Sequence, residues 1–213
     1  MPPSVPINES TLLLITDSSR SRGRSNVEIV RAALEGGCKW VQYRAPELSD
    51  RDFYNECLKI HELCMPTGAG LIVNDRLDIA ALVRADGVHL GSADLPVRVV
   101  KEYAGDDFLV GYSAHTIQEA ITAAWEGVDY LTFSPIFPLE HKQSVFKPHG
   151  LDGAKEVLSK VKVPVFLLGG IRMPDLKNLA KAIQPLRVAS VGMITEAEDV
   201  TKAVEGILAM LNG

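Results

Sequence analysis

The chain has 213 residues, 46% of them hydrophobic and 23% charged, which is enough to bury the core of one globular domain and short for two. A net charge of -5 without a basic run or basic-aromatic stripe argues against a nucleic-acid partner, and no apolar stretch approaches the roughly 18 residues of a membrane span. Met1 to Ser10 lacks the cationic start and apolar centre of a signal peptide, and three cysteines without a CxxC pair fit a reducing cytoplasm.

After this N-terminal extension, 1–10, short apolar runs alternate with longer amphipathic ones. Leu12 to Ile15 reads as a strand, followed by a Ser/Arg/Gly loop and a helix from Asn26 to Leu34. Lys39 to Tyr43 is a second strand, and Asp50 to Cys64 a helix opened by Ser49. Gly70 to Val73 and Leu77 to Val83 make the third pair, Gly87 to Leu90 and Pro96 to Tyr103 the fourth, with proline at the helix start. Leu109 to Tyr112 and Thr116 to Trp125 follow, then the strand Tyr130 to Phe133 and a long polar loop from Pro135 to Gly150 before the sixth helix. Val163 to Leu168 is the seventh strand, with a helix from Pro174 to Ile183. Val188 to Val191 is the eighth, and Ala197 to Leu211 the last helix.

Continuous apolar strands suit a parallel sheet covered on both faces, and right-handed crossovers close eight such units into a single (β/α)₈ TIM barrel. The rival is an open doubly wound sheet, but no GxGxxG follows the first strand. In a barrel the loops after the strands converge on one face. The polar residues there are Thr16, Asp17, Gln42, Arg44, Asn74, Asp75, Arg76, His89, Asp94, Ser113, His115 and Lys142, with glycines at Gly169, Gly170 and Gly192.

Asp75 and Asp94 follow neighbouring strands, so both carboxylates can reach one Mg²⁺, which takes one or two carboxylates beside water and phosphate oxygens. The bland alternative makes each a helix cap. Gln42 and Arg44 lie two apart on a strand and point the same way, toward the mouth. Arg44 can hold a phosphate through paired hydrogen bonds, or simply ion-pair with a carboxylate such as Asp75. Lys142 could approach the same anion, although a lone loop lysine is usually solvated. Gly169-Gly170 and Val191-Gly192 follow the last two strands, where barrels often bind phosphate through backbone N–H groups; the alternative is a pair of tight turns. Ser113 and His115 could form a nucleophile–base pair, a spacing common by chance, and His89 reads as an interior histidine with a satisfied ring.

The runs Val73-Asn74-Asp75-Arg76, Ala85 to Gly91, Asp94-Leu95-Pro96, Gly111 to His115, Ser134 to Pro138 and Gly169-Gly170-Ile171 resemble the thiamine phosphate synthase family, which includes the thiazole tautomerases. The resemblance implies a (β/α)₈ barrel that joins hydroxymethylpyrimidine diphosphate to thiazole phosphate, giving thiamine phosphate and pyrophosphate. It implies Mg²⁺ at Asp75 and Asp94, diphosphate contacts from Gln42, Arg44 and Asn74, and Ser113 near the pyrimidine and pyrophosphate. It also implies Lys142 on the pyrophosphate, and Gly170, Val191 and Gly192 on the monophosphate. His115 would be the base of a tautomerase. Family members often associate, so a homo-oligomer is an open expectation.

Three positions depart from the family pattern. Pro46 stands where a lysine is usual, Leu139-Glu140-His141 replaces threonines before Lys142, and Gly192 replaces a serine. One compensation is that Arg20, Arg22 or Arg24 folds over the diphosphate; the bland reading is a solvated basic loop. The resemblance favours a synthase. The alternatives are a thiazole tautomerase and a catalytically weak regulator that binds a thiamine precursor.

Overall fold

A computed structural model describes residues 3–105, 107–139 and 146–212. Eight parallel strands close on themselves: β1 (Leu12–Ile15), β2 (Trp40–Tyr43), β3 (Gly70–Asn74), β4 (Gly87–Leu90), β5 (Leu109–Ala114), β6 (Tyr130–Phe133), β7 (Val165–Leu167) and β8 (Val188–Ser190). Each pairs with the next, and β8 returns to β1 through Leu13 opposite Ala189. The helices are α1 (Asn26–Glu35), α2 (Asp50–Thr67), α3 (Leu77–Val83), α4 (Val97–Ala104), α5 (Ile117–Trp125), α6 (Gly150–Lys160), α7 (Met173–Ala182), α8 (Gly192–Thr195) and α9 (Val200–Leu211). The chain is thus the (β/α)₈ barrel that the periodicity implies.

Alternation along the strands divides the core in two. Leu12, Leu14, Val41, Val73, Val88 and Leu131 face the helices. Leu13, Ile15, Trp40, Ile72, Tyr130, Phe166 and Ala189 fill the barrel. The large interior rings need glycines opposite them. A Cβ at Gly70 would lie 2.4 Å from the Trp40 ring, and one at Gly111 would lie 2.2 Å from Tyr130 Cζ and 2.5 Å from His89 Nδ1. The N-terminal extension is part of this packing. Ile7 is buried with the interior set, and the Trp40 indole donates to the Val5 carbonyl at 2.9 Å.

Local chemistry explains where the helices begin and end. Ser25 and Glu28 form a reciprocal capping box on α1, and Ser49, Thr116 and Asp199 accept from the third backbone N–H of α2, α5 and α9. Helix α2 runs past the expected Cys64 to Thr67 and stops at Gly68, whose φ of 64° is left-handed. The last helix starts at Val200 rather than Ala197 because Asp199 caps it, and the short α8 stands separately after β8. Strand β7 is shorter than the run Val163 to Leu168.

Candidate active site

Asn74 ends β3, and Asp75 follows it at φ 61°. A non-glycine residue holds that left-handed conformation only where its surroundings over-determine it. Here the Asp75 N–H donates to the His89 carbonyl of β4 at 2.9 Å, and the Asp75 carbonyl accepts from Leu77 N at 3.1 Å. The turn brings the Asp75 carboxyl against that of Asp94, with which it hydrogen-bonds. Partial desolvation first, and then Asp94's hydrogen bond and charge, push the Asp75 carboxyl up to about 6. The nearby Arg44 and a hydrogen bond from Asn74 pull the other way. Asp94 is held in turn by the Gly91 N–H, which donates to Oδ2 at 2.6 Å.

Neither carboxylate caps a helix. The N-cap positions of α3 and α4 are Arg76 and Pro96, without a side-chain cap. Arg76, by contrast, is occupied structurally. It pairs with Asp50 at 2.7 Å and with Asp78 at 2.7 Å, tying the start of α3 to that of α2.

Gln42 is buried at the inner face of β2 and donates from Nε2 to Asn74 Oδ1 at 2.9 Å. Gln42 is thus tied to Asn74, whose side chain acts on the Asp75–Asp94 pair. The Gln42 Oε1 acceptor is buried and has no partner among the described residues. Thr16 pins the next rung: its hydroxyl donates to the Arg44 carbonyl at 2.9 Å and accepts from the Arg44 N–H at 2.8 Å. The Arg44 guanidinium forms no ion pair with a described carboxylate, although its charge acts on Asp75.

Ser113 on β5 and Thr132 on β6 face inward side by side. Both meet His89: Nε2 is 2.9 Å from Ser113 Oγ and 3.3 Å from Thr132 Oγ1, and Nδ1 is 2.9 Å from the Tyr130 hydroxyl. His89 is fully enclosed, and burial pushes its pKa down to about 3, so the ring is neutral. It has the satisfied ring expected from the sequence. Thr132 and Tyr130 were not singled out there, although their inward register two residues apart was a readable signal.

His115 does not pair with Ser113. Its Nδ1 lies 3.1 Å from both the carbonyl and the hydroxyl of Ser134. The ring stacks on Phe146 at 4.7 Å, and His149 Nε2 bonds to the His115 carbonyl at 2.9 Å. Lys142, Glu140 and His141 lie outside the described residues.

Across the mouth, Gly170 has φ 69°, and a Cβ there would lie 2.4 Å from the Phe137 carbonyl oxygen. The segment entering the long loop is laid against this turn, with Phe137 N donating to the Gly169 carbonyl at 3.0 Å. Val191 and Gly192 open α8 beside it. Among the described residues, no cluster of three or more His, Cys, Asp or Glu side chains could hold a metal. No described helix is long and apolar enough to cross a membrane.

The arginines of the β1–α1 loop do not fold over this region as compensation would require. Arg20 pairs with Glu196, and Arg22 and Arg24 donate to backbone carbonyls in 195–198.

Comparison with known proteins agrees with this geometry. A family model described as thiamine monophosphate synthase matches residues 12–194. A thiamine-phosphate synthase of Dictyoglomus thermophilum is 37% identical over 206 residues, covering 95% of this chain and 90% of that one. One from Chloroflexus aurantiacus is 38% identical over 201 residues, 94% and 92% of the two chains. The solved thiamine phosphate pyrophosphorylase of Pyrococcus furiosus superposes with a TM-score of 0.86 at 33% identity, covering 96% of each chain. A 3-hexulose-6-phosphate synthase, at 15% identity and a TM-score of 0.67 over 95% of this chain and all of the other, shares the fold alone.

Proposed function

The chain belongs to the thiamine monophosphate synthase family, and from that premise we propose that it is a transferase making thiamine phosphate from hydroxymethylpyrimidine diphosphate and thiazole phosphate. The observation that carries this reading is the Asp75–Asp94 pair, held carboxyl to carboxyl by a left-handed Asp75 with the charge of Arg44 beside it. Two facing carboxylates, one pushed up to about 6, concentrate negative charge beside Arg44. Their all-oxygen donor set fits a hard cation that completes its shell with water and phosphate oxygens, and Mg²⁺ is the cation we assign. When bound, it neutralises charge that grows on a departing diphosphate.

The remaining steps belong to the chain's own side chains. The C–O bond between the pyrimidine methylene and the diphosphate breaks, the pyrophosphate keeps the electron pair, and the thiazole nitrogen forms the new C–N bond. Arg44 offers the leaving group a planar fork of donors. Lys142 serves the same anion from the long loop. Asn74 and Gln42 contact the pyrimidine substrate, with the unpartnered Gln42 Oε1 available to a donor. Ser113, oriented by the neutral His89, sits between the pyrimidine and pyrophosphate. Backbone N–H groups at Gly170, Val191 and Gly192 take the monophosphate, where glycine lets the chain approach the oxygens closely. A cytoplasmic location is part of this reading, supported by three free, buried cysteines, and so is self-association, an expectation from the family.

The test is incubation with both substrates and Mg²⁺, following pyrophosphate and thiamine phosphate. Their appearance in equal amounts is expected. Isomerisation of a thiazole carboxylate phosphate without pyrophosphate release would overturn the reading in favour of a tautomerase. Tight precursor binding with neither reaction would make the protein a regulator.

A further inference from the structure

The three loop arginines converge on one segment. Arg20 sends Nε to Glu196 Oε1 at 2.7 Å and Nη2 to Oε2 at 3.0 Å. Arg24 donates from Nη2 to the Thr195 carbonyl at 2.9 Å and to that of Ala197, and from Nη1 to the Glu198 carbonyl at 3.3 Å. Arg22 reaches the Glu196 carbonyl at 3.5 Å. These carbonyls belong to the last residue of α8 and to the segment 196–198 that follows it. The loop therefore grips the far end of the same short element that begins at Gly192.

The grip also reaches Gly192 directly. Glu196 lies four residues on, on the same face of the turn. A Cβ at Gly192 would sit 2.6 Å from Arg20 Nη2 and 2.8 Å from Glu196 Oε2. Gly192 is not among the residues with positive φ, so its own backbone does not require glycine. The neighbouring ion pair does. That pair is about a third exposed on each side, at 34% and 37%, and pairs so placed add little stability. Its position therefore needs another explanation than stability.

We propose that Arg20 and Arg24 are positioning residues for the monophosphate subsite. They clasp 195–198 and hold the Val191–Gly192 backbone where it meets the phosphate, and Arg20 occupies the space that a serine side chain at 192 requires. The absence of that serine and the presence of the arginine loop are then one coupled feature, placed after β8, on the other side of β1 from the β2 loop that carries Pro46. This inference rests on the synthase reading for the identity of the ligand.

The experiment uses Arg20→Ala, Arg24→Ala, Arg24→Lys, Gly192→Ser and the double variant Arg20→Ala/Gly192→Ser. Steady-state rates are measured with each substrate varied in turn, and binding of inorganic phosphate is followed by calorimetry without turnover. Arg24→Ala is expected to raise KM for the monophosphate substrate about tenfold or more, leave KM for the diphosphate within about twofold, and regain part of the loss as lysine. Gly192→Ser alone should weaken phosphate binding, and adding Arg20→Ala should restore it, a non-additive result that two independent defects cannot give. Lowered melting temperature with both KM values unchanged, or additive effects in the double variant, would overturn the proposal. Should Arg24→Ala fail to fold, Arg24→Lys and the Arg20 variants carry the same comparison. If the unmodified protein releases no pyrophosphate, the synthase reading fails alone. The clasp then stands if Arg24→Lys weakens phosphate binding, and falls if binding is unchanged or the unmodified protein binds no phosphate.

Discussion

Replacing His89 with leucine tests whether the neutral imidazole under the mouth is what holds the interior hydroxyls. The ring is enclosed and accepts or donates at both nitrogens, toward Tyr130 on one side and Ser113 and Thr132 on the other. Leucine fills much of the space and bonds to none of them. The Tyr130 hydroxyl is fully buried, so stranding it costs about 1–3 kcal/mol. In a chain of this length each kcal/mol is worth roughly 2–4 °C in Tm.

The pH dependence is the sharper measurement. In the folded protein the His89 pKa is held down to about 3 by burial, against about 6.5 for an ordinary histidine. A depressed histidine contributes stability that is present above the unfolded pKa and lost as pH falls toward the folded one, because the unfolded chain takes up the proton first. Between pH 7.5 and pH 5.5 that loss amounts to about 1.4 kcal/mol. Leucine does not titrate, so the stability gap between wild type and His89→Leu should narrow by that amount over the interval. Urea unfolding at the two pH values measures it. A gap that stays constant would refute a neutral buried histidine. In turnover, His89→Leu should cost no more than Ser113→Ala, and the double variant should add nothing, since the ring acts through Ser113.

Asp75→Asn and Asp94→Asn should each lower turnover about 100- to 1000-fold in a pyrophosphate-release assay, with KM for the monophosphate little changed; near-normal rates would remove the pair from the reaction. Because the Asp75 carboxyl is raised to about 6, its contribution to metal-free stability is present at low pH and lost as pH rises through that value. Mg²⁺ competes with the same proton, so the rise in Tm on adding Mg²⁺ should be present at pH 7.5 and fade by pH 5, and a pH-independent rise would place the ion elsewhere. Pro46→Lys, at an exposed position two residues beyond Arg44, restores a leaving-group cation and should raise turnover about tenfold or more. An unchanged rate would mean that another group already fills that need.

What could be read from the sequence was set by periodicity and by pairing within short loops. Inward and outward rows follow from alternation, so the barrel and the mouth positions of Gln42, Asn74 and Ser113 were legible. Asp75 was legible as a residue but not as a conformation. Nothing local announces φ 61°, which comes from the His89 carbonyl capturing its N–H. The arginine loop was misjudged for a similar reason. Its partners lie in 195–198, more than 170 residues away, and the ring closure that brings β8 beside β1 creates that neighbourhood. Helix α2 outruns the stretch read to Cys64 because it carries Pro66 inside its last turn and ends only at the left-handed Gly68.

Ring order gives the proposed chemistry a direction. Arg44, Asp75 and Asp94 follow β2, β3 and β4, whereas Gly170 and Gly192 follow β7 and β8. In a closed eight-stranded ring β3 and β7 are diametrically placed. On the proposed assignment the two anionic groups are therefore held on opposite rims, which limits repulsion between them. Their organic parts must meet over the axis, above Ser113 and the His89 network. A diphosphate drawn toward β3 leaves from the side away from the incoming thiazole, so bond breaking and bond making can proceed on opposite faces of the methylene without either phosphate moving. Displacing the Val191–Gly192 backbone would then misalign the nucleophile while leaving the ionisation side intact, which is the reason a defect in the arginine clasp should appear in one KM and not in the other.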